Sequence, residues 1–297
     1  MLFRSTPCTP KIGGTLSGLH LADLNEDAAA DLRQALWQYG VLFVRDQHLT
    51  YDQMKKVALV FGDELEQHSA GNRNKNDPDY DPQVLRVEMV YSDTAKSTTD
   101  MWHNDVTARK HPTVASVLQA ETVPFGADTM WASASAAYQS LPYALKLLFL
   151  NIDIEHDSGF AALRHGFVNA GFIAKRMIEI GEVNTHPAVI EHHATGQLCL
   201  FGANGTVKRV HQYPIDLSEL IIKLANELPR IPEFQVRYQW SPGDVAIWDN
   251  FGTWHYGVTS GVRGQHRRLH RVSSYSKSIT PTLDRQRAVS ALMASGA

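Results

Sequence analysis

The sequence has few cysteines and no long apolar run. Its 297 residues include only two cysteines, Cys8 and Cys199, which lie far apart. That spacing offers neither a disulfide framework nor a cysteine pair for a metal, so both thiols are expected to be free. No apolar run approaches the roughly 18 residues that span a bilayer, and the opening MLFRSTPCTPKIGG lacks the apolar core of a signal peptide. We therefore expect a cytoplasmic protein with no membrane partner.

The sequence also lacks an excess of charge of either sign. Lys and Arg total 28 and Asp and Glu total 31, for a formal net charge of −3. Basic residues cluster only in RGQHRRLHR, so no broad basic face is predicted and nucleic acid is not an expected partner. With 43% hydrophobic residues, the chain can bury a sizeable core. No repeat or linker divides it, and we predict a single domain over residues 1–297.

Three segments have the periodicity and capping residues of helices. NEDAAADLRQALWQYG has Asn25 as a candidate N-cap and Gly40 as its stop. TYDQMKKVALVFG has Thr50 and Gly62 in the same two roles. DLSELIIKLANELP begins with Asp216 and has a glutamate three residues later, which is a capping-box arrangement.

Short apolar runs bounded by Gly, Pro, Asn and Asp fill much of the remaining sequence. They are predicted to be strands: VLFV, TVASVLQA, DTMWAS, HPAVIEHH, QLCLF, EFQVRYQW, DVAIW and LHRVSSY. Many short strands without regularly alternating helices indicate a barrel or a jelly roll. The polar stretch at residues 69–82 is predicted to be an exposed, mobile loop. The sequence therefore favours a mainly β fold with flanking helices.

A histidine and an aspartate two residues apart, His103 and Asp105, stand in WHNDVT. In an extended segment both side chains point to the same face, so they can reach one ion. The triplet alone is weak, because 14 His and 31 acidic residues should produce about one or two such triplets by chance. Two histidines with one carboxylate suit Fe(II) and leave positions open for other ligands, and His255 is the candidate third ligand. Asp249 and Asn250 are expected to shape the turn before it.

At these residues the sequence resembles the iron(II)- and 2-oxoglutarate-dependent dioxygenases of the taurine dioxygenase and alkylsulfatase group. The resemblance runs from VLFVRDQHLT to RVSSY and is densest in WHNDVT, in FGADTMWAS and from PEFQVRYQWSPGDVAIWDN to HRRLHRV. It implies a double-stranded β-helix (jelly-roll) core, with Fe(II), 2-oxoglutarate and O₂ as cofactors. The implied reaction hydroxylates a substrate C–H bond and yields succinate and CO₂. Relatives assemble as dimers or tetramers, so a homo-oligomer is expected.

The resemblance implies a role for five residues of the predicted centre. His103, Asp105 and His255 match the three iron ligands of the family. Arg267 matches the arginine that pairs with the distal carboxylate of 2-oxoglutarate, a task suited to a planar two-pronged donor. Thr129, in ADTMW, matches the hydroxyl that hydrogen-bonds the same carboxylate.

Strand alternation helps to choose between the neighbouring Arg267 and Arg268. If LHRV is aligned with the family, Arg267, Leu269 and Arg271 lie on one face of the strand, and Arg267 is the residue in register. Arg271 matches a second arginine that holds the anionic group of the substrate in the taurine enzyme. The resemblance therefore predicts a small anionic substrate, namely a sulfonate, sulfate ester, phosphonate or carboxylate.

Three further residues are candidates for substrate binding. Thr99 stands where the taurine enzyme has an asparagine, and Ser158 stands where it has an aromatic residue. His68 lies in the segment expected to border the pocket entrance. Because these surroundings differ, taurine is not the first choice of substrate. The segments around 66–101 and 156–185 are predicted to form an active-site lid or insert.

Two functions from other classes use the same residues. A non-redox metal-dependent hydrolase would hold Zn(II) and a hydroxide on the triad, but this leaves Arg267 and Thr129 without a role. A catalytically silent relative would bind a small anion without turnover. Because all the ligand positions are intact, that alternative is less favoured.

Overall fold

The computed structural model describes most of the chain. The described residues are 2–67, 80–90, 100–160, 181–202, 205–258 and 264–295. Most of the predicted loop at 69–82 and of the inserts predicted around 66–101 and 156–185 lies outside them, as do His68 and Thr99.

Helices surround the strands in the described part of the chain. The α-helices are α1 (Glu26–Tyr39), α2 (Tyr51–Ala58), α3 (Ala134–Ser140), α4 (Tyr143–Leu150), α5 (Ile215–Glu227) and α6 (Arg285–Ala294), and 3-10 turns cover Leu21–Asp23, Leu228–Arg230 and Pro232–Phe234. None of the described helices is both long and apolar enough to cross a membrane.

Capping explains where two of these helices begin. The side chain of Asn25 accepts a hydrogen bond from the amide of Ala28 at the start of α1, and Gly40 ends the helix with φ at 72°. Thr50 and Gln53 form a reciprocal capping box at the start of α2. The predicted starts of both helices are confirmed.

Two other predicted helix ends are wrong. α2 ends at Ala58 and not at Gly62, because the amides of Val60 and Phe61 bond to carbonyls only three residues back and tighten the chain into a turn. Asp216 makes no capping bond and lies inside the first turn of α5. Pro214 occupies the cap position instead, and its ring already fixes φ at −56°.

Sixteen strands are described. They are β1 (Arg4–Pro7), β2 (Gly14–Ser17), β3 (Val41–Val44), β4 (Glu64–Leu65), β5 (Leu85–Val90), β6 (Ala115–Thr122), β7 (Thr129–Ser133), β8 (Asp153–Asp157), β9 (Val183–Pro187), β10 (Val189–Glu191), β11 (Leu198–Leu200), β12 (Val207–Val210), β13 (Gln235–Tyr238), β14 (Val245–Asp249), β15 (Thr253–Gly257) and β16 (His266–Tyr275). The single strand predicted for HPAVIEHH is two strands, because β9 pairs with β8 whereas β10 pairs with β11.

A large sheet and a smaller one enclose the core that supports the site. The large sheet has the order β1-β2-β3-β14-β6-β16-β4, with β5 also paired to β16, and the smaller sheet has the order β13-β7-β15. Two further units, β12-β8-β9 and β10-β11, lie beside them. All but one of the pairs are antiparallel, the exception being β2 with β3.

Strand alternation in the central β14 shows how the layers are arranged. Ala246 and Trp248 pack into an apolar cluster with Trp131 of the smaller sheet, so they face the space between the sheets. Val245 and Ile247 point the other way and pack with residues of α1 and α2. Because both faces of β14 are covered, its five residues are all buried. The inner faces of β7, β15 and β16 thereby become the walls of the candidate site.

Candidate active site

His103 and His255 are brought together by a backbone pair. The amide of His103 donates to the carbonyl of His255 at 3.0 Å, and the amide of His255 donates to the carbonyl of His103 at 2.9 Å. This pair joins the segment before β6 to β15 and places the two imidazole centroids 4.1 Å apart. Asp105, two residues further on, has its Oδ2 atom 3.8 Å from Nε2 of His255. Residues separated by about 150 positions in the sequence therefore meet in one cluster.

The cluster has the donor set of a metal site. One ligand atom from each of His103, Asp105 and His255 lies within 4.8 Å of the others, and the described residues contain no second group of this kind. Oδ2 of Asp105 is buried and has no hydrogen-bond partner among the described residues. Nδ1 of His103 lies 2.8 Å from the carbonyl of Met101. That carbonyl can only accept, so Nδ1 carries the proton and the lone pair of Nε2 is left for an ion.

The electrostatics of the cluster suit a cation. Burial opposes ionisation of Asp105, but the nearby Arg271 guanidinium and the two imidazoles lower the pKa of this carboxyl below its usual range. Burial lowers the pKa of His103 and, more strongly, that of His255, which also faces His103. At neutral pH the cluster therefore presents one carboxylate and two neutral imidazoles, which are the protonation states that bind a divalent metal.

A second polar group lies on the inner faces of β7 and β16. Nη2 of Arg267 donates to Oγ1 of Thr129 at 3.1 Å, and Nε1 of Trp240 donates to the same oxygen at 3.0 Å. Both Arg267 and Thr129 are buried. Because Thr129 already accepts two hydrogen bonds, its own hydroxyl proton is left to donate to a ligand oxygen.

The strand register fixes the spacing between the two groups. β7 pairs with β15 so that Trp131 lies opposite His255 and Thr129 lies opposite Gly257. Thr129 is thus one strand across and two residues along from His255, a separation of about 8 Å in strand geometry. A short, extended dicarboxylate can span this distance between a metal and an arginine.

The basic residues of β16 point in alternating directions. Arg267, Leu269 and Arg271 face the inside, where Leu269 belongs to the core between the sheets. Arg268 faces outward and pairs with Glu88 and Glu121 on the neighbouring strands. The alternation predicted for this strand is therefore present, and Arg267 is the arginine that lies beside Thr129.

Arg271 lies at the metal-binding cluster itself. Its Nη1 atom donates to Oδ1 of Asp105 at 2.5 Å. Its Nε atom is buried and has no hydrogen-bond partner within the described part of the chain. Arg271 therefore holds Asp105 with one edge of the guanidinium and keeps a buried donor for another ligand.

The sequence match to a protein family covers this whole constellation. Residues 4–273 match the family described as taurine catabolism dioxygenase TauD, TfdA family. The chain belongs to this family. The TauD/TfdA protein is a 2-oxoglutarate-dependent dioxygenase, and enzymes of its family use Fe(II) and 2-oxoglutarate. The family predicted from the sequence is confirmed.

Individual relatives are similar to this TauD/TfdA dioxygenase over most of their length. An alkylsulfatase of Acinetobacter baylyi is 30% identical over 272 residues, which are 89% of this chain and 82% of its own. An (S)-phenoxypropionate/alpha-ketoglutarate-dioxygenase of Sphingobium herbicidovorans is 30% identical over 257 residues, covering 84% and 86%. A crystal structure of a taurine dioxygenase from Burkholderia xenovorans has a TM-score of 0.75 and 27% identity, covering 93% of this chain and 91% of that one. The predicted double-stranded β-helix fold is confirmed.

Three further residues of the dioxygenase were predicted to bind substrate. Ser158 is buried after β8, and its hydroxyl donates to the carbonyl of Glu182 at 3.3 Å. The predicted role of Ser158 in substrate binding stays a prediction. His68 and Thr99 lie outside the described residues, so their predicted roles in substrate binding stay predictions.

A group of charged residues around the buried Glu66 was not predicted from the sequence. Nη1 of Arg109 lies 3.0 Å from Oε1 of Glu66, and Nε of the same arginine lies 3.2 Å from Glu182. Burial raises the pKa of Glu66, although Arg109 and Arg271 favour its ionised form. Arg109 follows Asp105 by four residues, but its partners Glu66 and Glu182 lie 43 and 73 residues away in the sequence. No local spacing in the sequence predicts these ion pairs.

Proposed function

We propose that this dioxygenase hydroxylates a C–H bond of a small anionic substrate and releases succinate and CO₂. The observation that carries the proposal is that a set of metal-ligand residues and an arginine–threonine pair lie close together in the space between the two sheets. His103, Asp105 and His255 form a compact donor set, and Arg267 with Thr129 lies a short strand distance away. A metal hydrolase needs only the first group, whereas a 2-oxoglutarate-dependent enzyme needs both.

The chain's own residues would hold Fe(II) and its co-substrate. His103, Asp105 and His255 supply two imidazoles and one carboxylate, and the buried Oδ2 atom of Asp105 fits an ion that accepts its lone pair. Fe(II), when bound there, supplies the chelation of the 2-oxo acid and the activation of O₂. Arg267 binds the distal carboxylate through charge-assisted hydrogen bonds, and the Thr129 hydroxyl donates to the same carboxylate.

Arg271 is the residue we assign to the anionic group of the substrate. Its buried Nε–H is a donor without a hydrogen-bond partner among the described residues, and its Nη1 atom already fixes the guanidinium on Asp105. The relatives are named for an alkyl sulfate, a phenoxypropionate and taurine. These names represent a sulfate ester, a carboxylate and a sulfonate, all of which a guanidinium can bind. His68, Thr99 and Ser158 remain our candidates for the rest of that pocket.

The cofactor assignment is tested by anaerobic titration of the protein with Fe(II) and 2-oxoglutarate. We expect a weak visible charge-transfer band from the iron chelate, and we expect Asp105→Ala to lose it. Asp153→Ala is the matched control, because Asp153 also pairs with an arginine, at 2.8 Å from Arg285, but is not one of the three residues of the cluster. Binding of Fe(II) with no band, and no succinate with any substrate, would contradict the proposal.

The substrate class is tested with a panel scored for succinate release. The panel holds alkyl sulfates, alkyl sulfonates, phosphonates and aryloxy carboxylates, each with O₂ and 2-oxoglutarate present. We expect one class to give substrate-dependent succinate and Arg271→Ala to raise its KM by about tenfold or more. Product formation that needs neither O₂ nor 2-oxoglutarate would favour the metal hydrolase. Saturable anion binding without any turnover would favour the silent relative.

A further inference from the structure

Two buried asparagines lie behind the metal-binding cluster. Asn104 stands between His103 and Asp105, and its side chain is hydrogen-bonded to the backbone of Asn250, Thr253 and Gly202. Asn250 stands in the turn between β14 and β15, five residues before His255. Asn104 is 6% exposed and Asn250 is 0% exposed. Burial of two amide side chains costs free energy unless each is hydrogen-bonded.

Asn250 is hydrogen-bonded to the peptide groups on both sides of Asp105. Its Oδ1 atom accepts from the amide of Asp105 at 2.7 Å, and its Nδ2 atom donates to the carbonyl of Asp105 at 3.0 Å. The same Nδ2 donates to the carbonyl of Thr113 at 3.0 Å. One side chain therefore fixes the backbone of a residue that lies 145 positions away in the sequence.

Asn104 connects the same two segments in the opposite direction, from the loop of His103 and Asp105 to the turn before His255. Its Nδ2 atom donates to the carbonyls of Asn250 and Thr253, both at 2.8 Å, and its Oδ1 atom accepts from the amide of Gly202 at 3.3 Å. The two asparagines thus join the loop that carries His103 and Asp105 to the turn that carries His255. Each of these hydrogen bonds joins an asparagine side chain to a backbone group, so the partner cannot move away by changing a side-chain rotamer.

The backbone conformation of the residue after Asp105 explains why these hydrogen bonds to Asp105 are needed. Val106 has φ at +47°, a left-handed conformation that is strained for a β-branched side chain. The peptide that precedes Val106 contains the carbonyl of Asp105, which is the group that Asn250 holds. Strain of this kind persists only where surrounding contacts enforce it.

We propose that Asn250 is a positioning residue for the metal site, because it holds the strained turn at Asp105 and Val106 so that the Asp105 carboxylate faces the two histidines. Asn104 completes the connection from the other side. This inference rests on the metal site proposed above. Only an amide fits the position of Asn250, since an aspartate could not donate to two carbonyls and a serine offers one donor in place of two.

The test measures Mn(II) affinity, which does not depend on turnover. The metal-free chain is titrated with Mn(II) while the electron paramagnetic resonance signal of free Mn(II) is followed. We expect Asn250→Ala to weaken binding about 10- to 100-fold, the range found when groups that orient metal ligands are removed. Asn184→Ala is the matched control, because the Asn184 amide also donates to a backbone carbonyl, that of Ala108, without touching a ligand residue.

A second readout separates positioning from general stability. Co(II) replaces Mn(II), and its visible spectrum reports the ligand geometry, while circular dichroism and thermal melting report the fold. We expect a changed Co(II) spectrum in Asn250→Ala at temperatures where the chain is folded, and an unchanged one in Asn184→Ala. Asn250→Ser should lie between the alanine variant and the unaltered chain, and it decides the matter if the alanine variant does not fold.

The strain at Val106 is tested with a second substitution. Glycine adopts positive φ without steric strain. In a double-mutant cycle, Val106→Gly should therefore reduce by several-fold the loss of Mn(II) affinity that Asn250→Ala causes. Additive effects would overturn the link between Asn250 and the strained turn. A folded Asn250 variant that binds Mn(II) as tightly as the unaltered chain would overturn this inference alone. An unaltered chain that binds no Mn(II) would overturn the metal site and this inference together.

Discussion

The carboxylate of Asp105 lies between two groups that shape its reactivity. Arg271 holds Oδ1, and His255 lies near Oδ2. Because the guanidinium is in direct contact with a proposed metal ligand, an anion bound to Arg271 would be drawn close to the metal. The part of the substrate next to its anionic group would then lie nearest to the reacting centre. This arrangement restricts which C–H bond can be presented to the oxidant.

The first prediction concerns the two neighbouring arginines of β16. Arg267→Ala should raise the Kd for 2-oxoglutarate by about 10- to 150-fold, since it removes buried charge-assisted hydrogen bonds worth about 1.5–3 kcal/mol. Arg268→Ala should change it by less than about twofold, because Arg268 faces outward toward Glu88 and Glu121. The measurement is calorimetric titration of the anaerobic metal-loaded enzyme. If Arg268→Ala had the larger effect, the cofactor role would move to Arg268.

At the scale of elements, Gly202, which lies just after β11, packs closely against His156 of β8. Gly202 has φ at +81°, and a Cβ atom built there would lie 2.3 Å from Cε1 of His156. The amide of Gly202 also donates to Asn104. The close approach of this segment to β8 therefore depends on the absence of a side chain at residue 202.

The second prediction compares two glycines with similar backbone angles. Gly18→Ala should cost about 1–2 kcal/mol of unfolding free energy, because φ is +75° but no atom lies within 4 Å of the added Cβ. Gly202→Ala should cost about 1–3 kcal/mol more, because the methyl group overlaps His156. Urea denaturation of both variants measures the difference. Equal losses would show that the segment can move away from β8.

Sequence patterns predicted the elements that have one clear period or cap. The apolar run of β14 and the alternating directions of Arg267 and Arg268 in β16 were recognised, and Asn25 and Thr50 cap their helices as expected. α3 and α4 were not predicted, because alanines and leucines packed into the core leave them without the polar face that marks a surface helix. Asp216 fitted a capping pattern that Pro214 already filled.

Some residues of the candidate site were predicted from the sequence and others were not. The resemblance named His103, Asp105, His255, Thr129 and Arg267, and the structure places these five residues on facing inner surfaces. The pair of Glu66 with Arg109 was not predicted, because a buried ion pair between distant loops leaves no periodic signal in one sequence. Asn250 was predicted only to shape a turn, and its hydrogen bonds to Asp105 become visible only when the two segments meet.

For the whole molecule, the buried core is the part that links stability to pH. His156 is fully buried, and its Nδ1 atom lies 2.9 Å from the hydroxyl of Thr107. Burial, and then the nearby His186, lowers the pKa of His156 well below its usual value. The predicted homo-oligomer, single domain and cytoplasmic location stay predictions. The stability measurements below use a buffer with a chelator, so that metal binding does not contribute to the free energy of unfolding.

The third prediction is that the free energy of unfolding falls as pH decreases below about 6.5. The folded state keeps His156 neutral, whereas the unfolded chain binds a proton below about 6.5, so acid favours unfolding. This one histidine contributes a slope that approaches about 1.4 kcal/mol per pH unit. His156→Gln should remove most of that slope between pH 6 and pH 5, as measured by urea denaturation at each pH. His20→Gln, which replaces a histidine on the surface, is the control variant. Identical slopes in the His156 variant and the unaltered chain would show that His156 is protonated without unfolding.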